Sequence, residues 1–218
     1  MRDLSEKNIF SNGVYRSGST LIYNLLWHIL RKKHFTVKEV YKLHYGQWLN
    51  KTNLMEDISF CTIRDVRDSA ASMLRKTNVH FSELKKKKNV TIDEFILRNI
   101  KHGNKIKKHK EEGAEIYFLR YEVDILKPSN AARSICDVFE VELSDKEANE
   151  IDNLFSIESQ KKIVDKLIEN KSCGTTQYWP NHIGDGRTSY KDYFSYNDLK
   201  EDTLEVLEQW LNENNYKR

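Results

Sequence analysis

The strongest constraint on the fold is a nine-residue stretch near the amino end, N-G-V-Y-R-S-G-S-T, running from Asn12 to Thr20. Gly13, Gly18 and the hydroxyl residues after them follow the spacing of a phosphate-binding loop, G-x-x-x-x-G-K-[ST]. Context gives the spacing its meaning. The residues leading in, N-I-F-S-N-G-V-Y, are β-prone, and those leading out place apolar side chains at 21, 22, 25, 26, 29 and 30, the period of an amphipathic helix. A strand that turns sharply on glycine into a helix commits the chain to a crossover, and crossovers build parallel sheets.

The rest of the sequence continues in that grammar. F-T-V-K-E-V-Y-K-L (35–43) alternates and predicts a second strand; D-I-S-F-C-T-I-R (57–64) predicts a strand buried on both faces. A helix is expected over 65–77, then a polar connection over 80–90. A long helix over 91–113 follows, with Thr91 as its cap and Gly113 as its stop. A-E-I-Y-F-L-R-Y-E (114–122) reads as another buried strand, succeeded by helices at 129–139, 144–154 and 157–169. A loop with Gly174, Pro180, Gly184 and Gly186 spans 171–195, and a last helix over 197–215 takes Asn197 as its cap, with Leu204, Leu207 and Leu211 on one face. Strands alternating with helices predict one α/β domain over 1–218, a three-layer sandwich with a mostly parallel central sheet. Ligands then belong at the carboxyl ends of the strands.

Composition narrows the chemistry. With 39% hydrophobic and 32% charged residues, the 218-residue chain can form both a core and a solvated surface. Its longest apolar run, L-I-Y-N-L-L-W-H-I-L, is interrupted by Asn24 and His28 and is too short to span a bilayer. The first residues carry no apolar leader, and Cys61, Cys136 and Cys173 fit neither a disulfide frame nor a zinc site, so a reducing, cytoplasmic setting is expected. A net charge of +3 suits a small anionic ligand without calling for nucleic acid.

The loop itself departs from the kinase form, because Ser19 stands where the lysine should be and the nearest cation, Arg16, lies inside the loop. Backbone N–H groups at the head of a helix can grip an anion; the alternative is a glycine turn capped by serine. Y-R-S-G-S-T-L resembles the 5'-phosphosulfate loop of sulfotransferases that use PAPS (3'-phosphoadenosine 5'-phosphosulfate). Soluble members of that family carry P-K-S-G-T-T-W here, and the tyrosylprotein branch carries P-R-S-G-T-T-L. The resemblance implies that Arg16 is the loop cation and that Ser17, Gly18, Ser19 and Thr20 wrap the 5'-phosphate. It also marks Tyr15 as a replacement for proline and Leu21 as a replacement for the tryptophan that stacks on adenine.

I-R-D-V-R-D-S-A-A-S-M-L resembles the family's 3'-phosphate motif, R-[ND]-P-x-D-x-x-x-S. Arg64 and Ser72 would be the phosphate ligands, with Val66 in place of proline. The plainer reading is a helix start with Asp65 and Asp68 favouring the dipole and Arg67 in a surface pair; both hold together if Asp68 is structural. N-H-I-G-D-G-R-T-S-Y-K-D-Y-F-S (181–195) is similar to the late loop that closes over the 3'-phosphate, which implies contacts from Gly184, Gly186 and Arg187; otherwise it is a glycine-rich surface loop. F-L-R-Y-E-V-D-I-L-K-P resembles the family's Y-E-D-L segment and puts Tyr121 near the adenine. The likeness runs from about Asn8 to Asn215 and implies a P-loop NTPase-like sulfotransferase fold.

Sulfuryl transfer also needs a base. K-L-H in Y-K-L-H-Y-G resembles the K-x-H of soluble sulfotransferases, which makes His44 the base and Lys42 a helper of Arg16; Glu39 is the reserve, since other branches use glutamate. Trp48, Phe81, Tyr178 and Trp179 would either line an acceptor pocket or pack the core, and the lysine run at 85–88 reads as a solvated loop. The expected activity is metal-independent transfer from PAPS to a hydroxyl, less readily an amine, on a small molecule, glycan or lipid. The alternatives are a P-loop small-molecule kinase and a non-catalytic nucleotide-binding module.

Overall fold

A computed structural model describes residues 1–77, 91–169 and 189–216. Four strands, β1 (Asn8–Gly13), β2 (Glu39–Lys42), β3 (Ile58–Ile63) and β4 (Ile116–Arg120), form one sheet in the order β2-β1-β3-β4. All three pairings are parallel, with Asn8 level with Glu39, Ile9 with Ile58 and Ser59 with Ile116. The helices are α1 (Ser19–Lys32), α2 (Tyr45–Leu49), α3 (Val66–Thr77), α4 (Ile92–Glu111), α5 (Pro128–Val138), α6 (Asp145–Leu154), α7 (Ile157–Glu169) and α8 (Glu201–Glu213).

The strands are apolar on both faces because both are covered. Ile9 and Phe60 join a core with Leu25, Leu26 and Ile29 of α1 and Ile135 of α5. Phe10 and Cys61, their neighbours in sequence, belong to a separate core with Ile106 of α4 and Trp48. That alternation places helices on either side of the sheet and gives the three layers expected. A third cluster joins Val66 and Leu74 of α3, Ile96 and Ile100 of α4, and Leu207 and Trp210 of α8. Trp48 is fully buried and its indole donates to Ser59 Oγ at 3.0 Å, so it is core and not acceptor pocket.

Local chemistry sets the helix ends. Thr91 Oγ1 accepts from the Glu94 N–H at 3.1 Å while Glu94 returns the favour to the Thr91 N–H at 2.9 Å, a capping box that starts α4 where the sequence placed it. Gly113 follows at φ 101, in the left-handed region that favours glycine.

Three expectations need correction, and one element is new. The strand expected over 35–43 pairs only at Glu39–Lys42; Phe35 and Val37 instead pack side-on against the first core. The strand expected to reach 122 ends at Arg120 and turns through a π-type helical turn at Tyr121–Ile125. The short helix α2 was not anticipated. The last helix begins at Glu201, not at Asn197, because Asp198 Oδ2 accepts from the Ser195 N–H at 2.7 Å and closes a separate 3-10 turn. Lys200 then takes the cap position, its N–H donating to Asp93 Oδ1 at 2.9 Å. The buried face of α8 carries Leu207 and Leu211 with Trp210, while Leu204 sits half-buried at its edge.

Candidate functional site

The glycine loop leaves the carboxyl end of β1 and rests on β3. Gly13 is irreplaceable at that exit: at φ 147, a Cβ would lie 2.3 Å from the Thr62 carbonyl oxygen. The Val14 N–H donates to that same oxygen at 3.1 Å. Ser17 is 1% exposed, and its hydroxyl is bonded to the Val14 carbonyl at 2.6 Å and to Thr62 Oγ1 at 2.5 Å. That hydroxyl therefore ties loop to sheet and corrects the expectation that it faces an anion; only the Ser17 N–H remains for that purpose. Gly18 caps α1 at φ 97 without a side-chain hydrogen bond, so no side-chain oxygen of the cap covers the first N–H groups of α1. Ser19 and Thr20 stand half-buried at that helix head.

Arg16 adopts φ 63, an unusual conformation for a residue with a Cβ. The turn sends its side chain across to α3, where Arg16 Nε donates to Ser72 Oγ at 3.2 Å. Arg64, at the carboxyl end of β3, donates from Nη1 to the Arg16 carbonyl at 3.3 Å and lies 4.0 Å over the Tyr121 ring. Arg64 and Ser72 are each 4% exposed. Four of the expected site residues, from three separate stretches of sequence, thus meet in one place. Burial pushes the Arg16 guanidinium down to about 10, helped by the positive charges of Arg75 and Arg64. Converging guanidinium groups at low exposure repel one another, and an anion between them relieves that repulsion.

The aspartates beside Arg64 are structural. Asp65 and Arg67 form a bidentate pair, with Arg67 Nη2 at 2.5 Å from Asp65 Oδ2, but the pair is buried and not on the surface as expected. Asp68 Oδ1 accepts from the Tyr190 N–H at 2.9 Å, and burial raises the pKa of its carboxyl. Arg67 Nη1 donates to Tyr196 at 2.6 Å. These bonds moor the segment after residue 188 to the first turn of α3. Gly184, Gly186 and Arg187 lie outside the described residues, as do Phe81, Tyr178, Trp179 and the lysine run.

Lys42 ends β2, level with Ser11. His44 follows at the start of α2, its N–H donating to Gln47 Oε1 at 3.4 Å and its imidazole stacked on Tyr15 at 5.1 Å between ring centres. Both therefore stand beside the loop. Glu39 is at the far end of β2, about 10 Å from Lys42 at the rise of a strand, and accepts a hydrogen bond from Tyr41.

Two residues to which the sequence reading gave no part also meet the loop. Asn99 of α4 is fully buried and accepts from the Tyr15 N–H at 2.9 Å. His102, one turn on, sits 5.7 Å from the Tyr15 ring; burial lowers its pKa, as do Arg98, Lys105 and Lys101. The available signal was a polar side chain at an inward position of α4, in step with Ile96, Ile100 and Ile106.

A cavity of about 780 Å³ opens between the outer face of α1 and α7, lined by Tyr23, Asn24, Trp27, Phe155 and Gln160 among others. Asn24 Nδ2 donates to the Thr20 carbonyl at 2.9 Å, one turn back along α1.

No family model matches the sequence, and no curated protein matches it. Solved structures do match the fold. Mouse sulfotransferase SULT7A1 complexed with PAP aligns at a TM-score of 0.67, with 15% identity over 96% of this chain and 85% of that one. Retinol dehydratase in a complex with retinol and PAP aligns at 0.62, with 16% identity over 95% and 80%. The sulfotransferase domain from the curacin biosynthetic pathway aligns at 0.55, with 11% identity over 99% of both chains. With its four parallel strands, its glycine loop at the end of β1 and this likeness along nearly its whole length, the chain has the sulfotransferase fold.

Proposed function

We propose that this chain is a PAPS-dependent sulfotransferase acting on a hydroxyl, less readily an amine. The observation that carries the reading is the convergence of Arg16, Arg64 and Ser72 around the loop, at the carboxyl ends of β1 and β3. One nucleotide can then be held at both ends. Ser17, Gly18, Ser19 and Thr20 offer N–H groups, and Ser19 and Thr20 also hydroxyls, to the 5' end at the head of α1, while Arg64 and Ser72 take the 3'-phosphate. Gly184, Gly186 and Arg187 are proposed to close over the same phosphate. The nucleoside runs along α1 toward Tyr23, whose half-buried ring replaces the stacking surface absent at Leu21. The neighbouring structures crystallised with PAP support this co-substrate.

PAPS supplies the activated sulfuryl group. Arg16 and Lys42 hold the negative charge that gathers on the leaving phosphate oxygen. His44 takes the acceptor hydroxyl's proton as general base. No metal is assigned a part. Retinol dehydratase has been crystallised with retinol and with androsterone, which supports a small hydroxyl-bearing acceptor, with glycans and lipids further candidates.

A kinase is the weaker reading. It needs a loop lysine and a carboxylate that carries Mg²⁺, and Asp65, the carboxylate at the end of β3, is engaged by Arg67. A thermal-shift titration with PAP decides the matter. At a hundred times its dissociation constant, PAP should stabilise the fold by about 2.7 kcal/mol, and AMP at the same concentration should do far less. Equal shifts with the two nucleotides, or none, refute the 3'-phosphate site. Binding without transfer to any of a broad panel of alcohols, phenols, sugars and amines favours a non-catalytic module instead.

A further inference from the structure

Position 15 carries tyrosine where the loop sequences quoted above carry proline. The exchange adds a backbone N–H, which proline lacks, and an aromatic ring. Both are used. The N–H donates to Asn99 Oδ1 at 2.9 Å, and Asn99 is 0% exposed. Asn99 Nδ2 has no hydrogen-bond partner among the described residues, so the bond to Tyr15 is what accounts for an amide at this depth. The ring stacks on His44 at 5.1 Å and 30°, tilts against His102 at 5.7 Å and meets Phe95 at 6.4 Å. Tyr15 is thereby clamped between the start of α2 and the inward face of α4. The next residue is Arg16, at φ 63, whose side chain reaches Ser72.

We propose that Tyr15 is a positioning residue that couples the two halves of the reaction: pinned by Asn99, it fixes the turn that aims Arg16 at the anion, and its ring holds the His44 imidazole beside that anion. The purpose rests on the sulfotransferase reading; the geometry does not. Proline would do the first task by locking φ, and it could not do the second. Tyrosine has no such lock, so the buried hydrogen bond and the ring contacts supply the stiffness. Without Asn99 the half-buried Tyr15 N–H would lose its acceptor, and the loop would lose the bond that holds its turn to α4.

The test is a double-mutant cycle read by PAP affinity in the full chain. Asn99→Ala should weaken PAP binding about tenfold, about 1.4 kcal/mol. In a Tyr15→Pro background there is no N–H to satisfy, and the loop sequences quoted above carry proline at this position. There the same substitution should change affinity less than about twofold. Equal losses in both backgrounds, or no loss in either, overturn the proposal. If Asn99→Ala does not fold, Asn99→Leu, which leaves less of a cavity, is read in the same way.

The second readout needs no ligand: the His44 ring-proton signals in NMR, assigned by their loss in His44→Gln. The stacked Tyr15 ring should displace them, and Tyr15→Leu or Asn99→Ala should move them toward free-histidine values. Signals that stay in place overturn the coupling. Should the native chain fail to bind PAP at all, the sulfotransferase reading falls, and the His44 signals still decide whether Tyr15 holds the imidazole.

Discussion

Gly18 is the residue where loop, helix and the turn after β4 meet, and replacing it with alanine tests all three at once. Its φ of 97 is one that L-residues adopt at a cost of about 1–2 kcal/mol. An added Cβ would lie 2.7 Å from Ile125 Cγ2 and 3.0 Å from Cγ1, inside contact distance, and relieving such an overlap costs a further 1–3 kcal/mol or so. Gly18→Ala should therefore destabilise the fold by about 2–5 kcal/mol. Ile125 is 6% exposed, so Ile125→Ala alone should cost about 2–5 kcal/mol through lost burial and a cavity. Combined, the two should cost less than their sum by the overlap energy, about 1–3 kcal/mol, because the space vacated by Ile125 receives the new methyl. Urea unfolding of the four proteins, followed by circular dichroism, measures each step. Costs that add within about 0.5 kcal/mol mean that Ile125 does not lie beneath the loop, and the packing of the π-type turn against Gly18 is refuted.

Four further outcomes are expected. Arg64→Lys keeps the charge and loses the planar fork, so PAP affinity in calorimetric titration should fall about tenfold or more while AMP affinity hardly changes. Ser17→Ala removes a buried hydroxyl bonded to the Val14 carbonyl and Thr62; chemical denaturation should register a loss of about 1–3 kcal/mol. The bond to Lys33 and then the N–H of Ser144 hold the Glu147 carboxyl down to about 2, so its contribution is present above pH 4.5 and is lost as pH falls toward 2. Glu147→Gln should flatten the acid limb of the stability profile over that window. Burial raises the pKa of the Cys61 thiol and pushes that of Cys136 up to about 11, so with Cys173 replaced by serine the native protein should give no fast reaction with a disulfide reagent at pH 8.

The sequence by itself determined the class of fold and nominated the residues of a candidate site. Glycine spacing, helical periodicity and runs of β-branched residues are local properties of the chain, and they sufficed to place β1, α1, β3, α3 and α4 and to nominate Arg16, Arg64 and Ser72. Where two local signals competed, the weaker one was misread. Asn197 reads as a cap, but the Ser195–Asp198 box lies beside it and closes its own turn first. Tertiary structure decided what spacing could not express: which way each side chain points once the strands are ordered. Ser17 lies within the phosphate-loop motif, yet the sheet order sets Thr62 directly beneath it and turns its hydroxyl inward. Asn99 and His102 carry no motif and become neighbours of Tyr15 only because α4 crosses the face of the sheet at the end of β1. A hydrogen bond across 84 residues is invisible to any local pattern; it exists because packing set that N–H against a helix with an amide at the matching height.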